Sequence, residues 1–131
     1  DPDKLAAIGY CFGGSTVQQL AYSGAPVKVV GSFHGAPVVP SAEQAKAVQG
    51  TVFIAHGADD AFIKQETLDA TLKALKDGGA AVVFESYPGA VHSFTVPGAD
   101  KAGVKGLAYN KDADEKSWAT LRKLLDEKLG K

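Results

Sequence analysis

The sequence contains a single cysteine, Cys11, in a glycine-rich turn that follows the apolar residues 5–8 and precedes a helix-like segment over residues 15–22. A nucleophile with a small residue two positions away on each side, between a strand and a helix, is the pattern of a nucleophile elbow. We expect Gly9 and Gly13 to be required there, because a Cβ at either position would collide with the turning chain. The N-terminus of the following helix would favour the thiolate form of the cysteine.

Candidate partners for a cysteine nucleophile follow at the ends of two further predicted strands. Asp60 comes shortly after the apolar residues 51–55, and His92 comes shortly after the apolar residues 81–85. Because the carboxyl ends of parallel strands meet at one edge of an open α/β sheet, these side chains can converge on the cysteine. We expect Cys11 to attack an acyl carbon, His92 to bind the thiol and later protonate the leaving group, and Asp60 to orient the imidazole.

Each of these roles has a competing interpretation. A lone cysteine such as Cys11 is often only a small buried hydrophobic residue, and a loop histidine such as His92 is often only solvated. Asp60 could be a helix cap, since aspartate is favoured there, and its neighbour Asp59 is the alternative acid. The order nucleophile, acid, histidine along the chain favours the catalytic interpretation. The backbone N–H of Phe12 is then the first expected oxyanion donor.

Several further residues lie at strand ends or near the predicted nucleophile. We expect four of them to line a substrate pocket, namely Tyr10, His34, Phe62 and Phe94. For His34, a structural role is an equal alternative. His56 is expected to orient its own loop by hydrogen bonding. We predict no metal site, because the three histidines lack ligand-type spacing and one cysteine cannot supply a structural zinc site. We also predict no cofactor, because Gly13 and Gly14 lack the third glycine of a dinucleotide-binding loop.

With these segments in hand, the chain resembles the dienelactone hydrolase family of α/β-hydrolases. The resemblance rests on Gly-Tyr-Cys-Phe-Gly-Gly at 9–14, His-Gly-x-x-Asp at 56–60, Tyr-Pro-Gly-Ala-x-His-x-Phe at 87–94 and Gly-Leu-Ala-Tyr-Asn at 106–110. It covers nearly the whole chain. It implies that the family's nucleophile, acid and base correspond to Cys11, Asp60 and His92, and that the reaction passes through a thioacyl-enzyme.

The resemblance also bears on the substrate. Family members that open dienelactones carry an arginine shortly after the catalytic histidine, where it binds the substrate carboxylate. Residues 93–97 contain no arginine, and the sole arginine of the chain is Arg122 in the C-terminal segment. We therefore expect a general carboxylic ester or lactone hydrolase. The alternatives are a non-catalytic binding or scaffold fragment with a vestigial triad, and a redox-sensitive thiol protein.

The fold that the sequence predicts is a three-layer α/β/α arrangement with a mostly parallel sheet, a partial α/β-hydrolase fold from which the N-terminal strands are missing. Only ten residues precede Cys11, and the chain contains no methionine, so we expect residues 1–131 to be the C-terminal part of a single domain. Strand 4–10 should then have one unpaired edge, which predicts self-association or association with the missing N-terminal half. The chain alone should be a weak enzyme, because a second oxyanion donor would come from a missing loop.

The predicted elements alternate along the chain. Strands are expected over 4–10, 27–33, 51–55 and 80–86, with helices over 15–22, 42–48, 65–76 and from about 113 onwards. The last helix should bury a stripe of Trp118, Leu121, Leu125 and Leu129, with Leu124 beside it. The stretch 88–112 is glycine-rich and without strong periodicity, which is typical of a functional loop.

Composition limits the partners and the compartment. The formal net charge of −1 gives no electrostatic reason to expect nucleic acid or an anionic membrane as a partner. No apolar run approaches the roughly 18 residues that a membrane helix needs. A single cysteine excludes an internal disulfide and fits a reducing compartment, so we predict a cytoplasmic location. A small ester or lactone is the expected binding partner.

Overall fold

The computed structural model describes residues 1–130, in which four strands alternate with helices. In chain order the elements are β1 (Ala6–Tyr10), α1 (Phe12–Tyr22), β2 (Val29–Phe33), α2 (Ala42–Ala47), β3 (Thr51–Gly57), α3 (Gln65–Asp77), β4 (Ala81–Tyr87), a short 3₁₀ helix (Ala99–Ala102) and α4 (Lys111–Leu129). Each predicted strand and helix is present, with boundaries that differ by a few residues.

The four strands form one parallel sheet in the order β1-β2-β3-β4. All their carboxyl ends therefore lie at the same edge, and the segments that follow Tyr10, Phe33, Gly57 and Tyr87 start side by side there. Strand β3 is buried along its whole length, as its continuous apolar sequence predicts for an inner strand of a parallel sheet. The predicted α/β fold with a parallel sheet is confirmed.

Alternate residues along the inner strands face two separate hydrophobic cores. Phe33 and Phe53 belong to one core, where they pack with Leu121 of α4. Val30 and Val52 belong to the other core, which α1 and α3 cover with residues that include Leu75. Because successive side chains of a strand point to opposite faces, this division places helices on both sides of the sheet. The result is the three-layer arrangement that the sequence predicts.

Helix α4 begins earlier than the sequence predicts. The Asn110 side chain accepts a hydrogen bond from the backbone N–H of Ala113 over 3.0 Å, which caps the helix so that Lys111 is already helical. An asparagine in this position satisfies one of the N–H groups that a helix start leaves unpaired. The start predicted near residue 113 or 114 is therefore two or three residues too late.

The predicted buried stripe of α4 is correct at its centre and wrong at its start. Leu121 and Leu124 are buried, and Leu125 packs partly against the same core. Trp118, however, is 47% exposed and lies on the outer side of the helix. The position one residue earlier, Ser117, is fully buried and its hydroxyl donates to the Asp114 carbonyl. The helix therefore turns a small residue rather than the indole towards the sheet.

Residues 88–110 connect β4 to α4 along the carboxyl edge of the sheet. The segment is ordered by the 3₁₀ helix and by a parallel bridge between His92 and Leu107. The backbone N–H of Asn110 also donates to the Phe94 carbonyl over 2.9 Å. These contacts hold the residues after His92 against the strand ends. Among the described residues, no helix combines the length and apolar character that crossing a membrane requires.

Candidate active site

Cys11 occupies the turn between β1 and α1 in a backbone conformation that is unusual for a residue with a side chain. Its φ is 55° and its ψ is −121°, and α1 begins at the very next residue, Phe12. The backbone N–H of Cys11 donates to the Phe33 carbonyl over 3.0 Å, which ties the turn to the end of β2. A non-glycine residue with positive φ is strained, and such strain is concentrated at functional sites.

The close packing of this turn depends on Gly9 and Gly14. A Cβ on Gly9 would overlap the carbonyl group of Gly13 and would lie 2.8 Å from the nitrogen of Gly14. A Cβ on Gly14 would lie 2.8 Å from the Cα of Gly35. A Cβ on Gly13 would meet no heavy atom of the described residues within 4 Å. The predicted requirement for glycine is therefore correct at position 9. It is wrong at position 13, because a Cβ on Gly13 would point away from the turn.

His92 is paired with a buried carboxylate. Its Nδ1 lies 2.9 Å from Oδ2 of Asp60, whose side chain has no exposed surface. The other carboxylate oxygen, Oδ1, accepts the backbone N–H of Phe62 over 2.9 Å, so Asp60 is fixed from both sides. Asp59 is exposed at the surface. The structure therefore places Asp60, and not Asp59, against the imidazole.

Cys11, His34 and His92 come together at the carboxyl edge of the sheet. Each offers a sulfur or ring nitrogen, and these three atoms all lie within 4.8 Å of one another. Because Nδ1 of His92 is engaged by Asp60, the nitrogen left to exchange a proton with the thiol is Nε2. The predicted nucleophile, base and acid thus lie next to one another, although they come from three separate loops.

The hydrogen-bond partners of the sulfur are two residues that the sequence analysis did not assign to this role. The Sγ atom of Cys11 lies 3.2 Å from Nδ1 of His34 and 3.5 Å from Oγ of Ser93. His34 and Ser93 both have positive φ, of 39° and 63°. These backbone conformations turn each side chain towards the sulfur. The sequence predicted His34 as a pocket or structural residue and did not identify Ser93.

His34 is a buried, neutral imidazole. Its side chain is 1% exposed, and Nε2 lies 2.8 Å from Oγ1 of Thr95. Burial above all, and the nearby His92, lower the pKa of His34 from 6.5 to about 4, against a smaller opposing effect of Asp60. His34 therefore carries no charge near neutral pH. Thr95 is a second residue that the sequence did not identify, because nothing about a lone threonine in a loop marks it as a partner.

The three clustered side chains are also of the kinds that bind thiophilic cations. One thiolate and two imidazoles could hold a zinc ion with a fourth position open. The prediction of no metal site was based on spacing along the chain, whereas these three residues are distant in sequence and are brought together at the sheet edge. Around tetrahedral zinc the ligand atoms would lie about 3.5 Å apart, given bonds of about 2.0–2.3 Å. A separation of up to 4.8 Å would have to close before all three could bind.

The other predicted pocket residues fall into two groups. Tyr10 and Phe62 are 42% and 55% exposed, and the Phe62 ring centroid lies 5.3 Å from that of His92, so both could contact a substrate. Phe94 is fully buried, with its ring packed edge-on against His34 at 4.9 Å and against Tyr87. The prediction that Phe94 lines a pocket is wrong, because a side chain with no exposed surface supports the histidine from behind instead.

Phe12 and His56 complete the set of predicted residues. Phe12 is the first residue of α1, so its backbone N–H is one of those that a helix leaves without an internal partner. Its side chain is 86% exposed. His56 lies within β3 and not in the loop after it, with its ring stacked at 6.2 Å from Phe84. Burial lowers the pKa of His56, which fits a structural role in the sheet.

Several known proteins are similar to this chain in sequence or in fold. The Caenorhabditis elegans protein K02A2.1 is 29% identical to the chain over 129 residues, which are 97% of this chain and 82% of that protein. A Synechocystis protein named "Putative carboxymethylenebutenolidase" is 27% identical, with 98% of this chain and 52% of that protein covered. The crystal structure of a dienelactone hydrolase-like promiscuous phosphotriesterase from metagenomic libraries is 39% identical with a TM-score of 0.92.

The alignment with that crystal structure covers 98% of this chain but only 54% of the solved chain. The chain thus spans about half the length of the solved structure and of the Synechocystis protein. The sequence profile of the dienelactone hydrolase family matches residues 1–129. The match includes the elbow at Cys11 and the loops that carry Asp60 and His92. The chain therefore belongs to the dienelactone hydrolase family, with the α/β-hydrolase type of fold.

Proposed function

We propose that this site cleaves carboxylic esters or lactones by nucleophilic catalysis, with Cys11 as nucleophile, His92 as base and Asp60 as the group that orients the base. The observation that carries the proposal is the 2.9 Å contact between His92 and Asp60, next to a cysteine in a strained turn. A nucleophile, a histidine and a carboxylate arranged in this order form a catalytic triad. Membership of a hydrolase family supports the same reaction class.

The reaction would proceed in two steps. Sγ of Cys11 attacks the carbonyl carbon, its proton passes to Nε2 of His92, and the tetrahedral intermediate expels the alcohol, which takes that proton. The C–O bond is then broken and an S–C bond has formed. In the second step His92 takes a proton from water and the hydroxide attacks the thioester carbon. The C–S bond then breaks, the departing sulfur takes the proton from His92, and the carboxylic acid and the free thiol are released.

The developing oxyanion would be bound by the backbone N–H of Phe12 at the start of α1. The elbow itself supplies one donor, and loss of a second donor typically lowers kcat by about 10²–10³-fold. We therefore expect residues 1–131 alone to form the acyl-enzyme slowly. The positive end of the α1 dipole also stabilises the negative charge of this oxyanion.

The substrate is expected to be a neutral ester or lactone. Arg122, the sole arginine, is exposed on α4. It lies in none of the segments after the strands that carry Cys11, Asp60 or His92. Residues 93–97 offer a serine and a threonine but no cationic side chain to bind a substrate carboxylate. The exposed rings of Tyr10 and Phe62 favour contact with an apolar acyl or alcohol group.

The test is direct detection of the acyl-enzyme. The 131-residue protein is mixed with 4-nitrophenyl acetate, release of nitrophenolate is followed, and the acetyl group is located by mass spectrometry after proteolysis. We expect one acetyl group on Cys11, none in Cys11→Ala, and formation at least about a hundredfold slower in His92→Ala. An unmodified Cys11 in a folded protein would overturn the proposal and favour a non-catalytic binding fragment.

A second substrate class is suggested by one relative. The metagenomic protein that is 39% identical is named a promiscuous phosphotriesterase. Attack by the same sulfur on phosphorus would form an S–P bond and release the aryl alcohol, with the proton again passing through His92. We expect diethyl 4-nitrophenyl phosphate to phosphorylate Cys11, and a protein that is acetylated but never phosphorylated would exclude this class.

A further inference from the structure

The sulfur of Cys11 faces two imidazoles whose surroundings are different. His92 is held by the Asp60 carboxylate, which makes it suited to accept a proton. His34 touches the sulfur directly, at 3.2 Å from Nδ1, and its other nitrogen contacts the Thr95 hydroxyl at 2.8 Å. The triad described above uses His92 and gives no role to His34 or Thr95.

A neutral imidazole has one N–H, so the contacts of His34 allow two arrangements. If Thr95 donates its hydroxyl proton to Nε2, the ring proton sits on Nδ1 and points at the sulfur. If Nε2 carries the proton, Nδ1 can only accept from a thiol. The first arrangement stabilises the thiolate and the second stabilises the thiol, so the Thr95 hydroxyl decides which form of Cys11 is favoured.

We propose that His34 is a positioning residue for the nucleophile, held by Thr95 in the Nδ1–H tautomer so that it donates a hydrogen bond to the Cys11 thiolate. The inference rests on the proposed function, because it concerns the sulfur that would attack the ester. Ser93, whose Oγ lies 3.5 Å from the sulfur, is a further hydrogen-bond partner of Cys11.

The surroundings of His34 suit a fixed donor better than a second base. The ring is 1% exposed and packs edge-on against Phe94 at 4.9 Å, so it cannot turn without disturbing the core. The titratable groups around it are the thiol, His92 at 5.5 Å between ring centroids, Tyr10 at 6.0 Å, and the Asp60 carboxylate on the far side of His92. Burial keeps its pKa near 4 despite the smaller opposing effect of Asp60, so His34 stays neutral while His92 exchanges the proton.

The first test measures how alkylation of Cys11 by iodoacetamide depends on pH. Thr95→Val removes the hydroxyl while keeping the shape of the side chain, and Thr95→Ser keeps the hydroxyl. The control is Thr120→Val, because the Thr120 hydroxyl bonds to Glu85, away from the sulfur. We expect the ratio of alkylation rates at pH 6.5 and pH 9 to fall about three- to tenfold in Thr95→Val only. Equal ratios in all four proteins would overturn the proposal.

The second test observes the tautomer itself. In the protein with ¹⁵N-labelled histidine, long-range ¹H–¹⁵N correlation spectra distinguish a ring protonated at Nδ1 from one protonated at Nε2. We expect His34 to be an Nδ1–H imidazole at pH 7 and to lose this preference in Thr95→Val. An Nε2–H ring in the unmodified protein would overturn the proposal. Neither test requires ester turnover, so failure of acyl-enzyme formation and failure of this inference can be told apart.

Discussion

Nδ1 of His92 lies 2.9 Å from Oδ2 of Asp60, although the two residues are 32 positions apart in the sequence. One follows β4 and the other follows β3, and the parallel pairing of these strands from Thr51–Ala81 to Gly57–Tyr87 brings their loops together. The contact fixes the His92 ring so that Nε2 is free for proton exchange. The sheet thus places the proposed base close to the proposed nucleophile, which lies on a third loop.

Replacing Asp60 by Asn should slow acylation of Cys11 strongly. An amide can turn its NH₂ group towards Nδ1 and so favour the wrong tautomer of His92, and it also leaves the imidazolium without a counter-charge. We expect the rate of nitrophenolate release to fall by about 10³–10⁴-fold, as losses of this group do in other triads.

The matched control for this variant is Asp59→Asn, which makes the same chemical change one residue earlier. Asp59 is exposed, and its contact with the rest of the site is a backbone hydrogen bond from its N–H to the Ala90 carbonyl. We expect acylation within about twofold of the unmodified protein. A larger loss in Asp59→Asn than in Asp60→Asn would mean that the wrong carboxylate has been assigned.

The sequence carries enough information to bring Cys11, Asp60 and His92 to one edge because each follows an apolar run that reads as a buried strand. The apolar runs and the order of strands and helices can be read directly from the sequence. The sheet and its carboxyl edge could therefore be predicted. The contacts of His34 with Cys11 and Thr95 could not, because they depend on positive φ at His34 and on how residues 88–110 fold back. That segment has no periodicity from which to infer its path.

Details of packing were also beyond the sequence. Trp118 fits an apolar stripe by spacing, but the face of α4 is decided by the cap at Asn110 and by contacts with β2 and β3. Gly13 looks equivalent to Gly9 in the elbow pattern, yet only Gly9 faces the backbone of α1. A pattern states which residues are small, whereas the direction of each missing Cβ is known only from the folded turn.

Gly9→Ala should destabilise the fold, and Gly13→Ala should not. The added Cβ at position 9 would overlap the Gly13 carbonyl, which is backbone and cannot rotate away. Overpacking of this kind costs typically about 1–3 kcal/mol. At position 13 the space is open, and alanine in a helix is favoured over glycine by about 1 kcal/mol. Urea denaturation measures the free energy of unfolding of both variants. Equal stability of the two variants would contradict the elbow geometry.

Acidification from pH 7 to pH 5 should destabilise the protein partly through His34. Its pKa is about 4 in the folded chain and about 6.5 when unfolded, so between these values only the unfolded chain takes up the proton. The stability is present above pH 6.5 and is lost as the pH falls towards 4. The expected loss between pH 7 and pH 5 from this group is about 2 kcal/mol.

Urea denaturation of the unmodified protein and of His34→Asn at both pH values would measure this loss. Asparagine tolerates positive φ better than most residues, which suits the φ of 39° at this position. We expect the decrease in unfolding free energy to be smaller by about 2 kcal/mol in His34→Asn. Burial also lowers the pKa of His56, the second buried histidine. His56→Asn therefore serves as the comparison variant in the same experiment. An identical decrease in His34→Asn and the unmodified protein would show that His34 is protonated equally in both states.

The outer edge of β1 should mediate association of the chain. Among residues 1–130, β1 pairs with β2 alone, and the apolar residues Leu5 and Ile8 beside that edge are 44% and 38% exposed. An unprotected edge strand offers unpaired N–H and C=O groups to another chain, and lysine on such an edge opposes pairing.

We expect sedimentation velocity to show concentration-dependent self-association that Leu5→Lys/Ile8→Lys abolishes. Val104→Lys, which changes an equally exposed apolar residue away from the sheet, should still associate. A protein that is monomeric at every concentration, or a control that dissociates as fully as the double variant, would show that the β1 edge is not the contact surface.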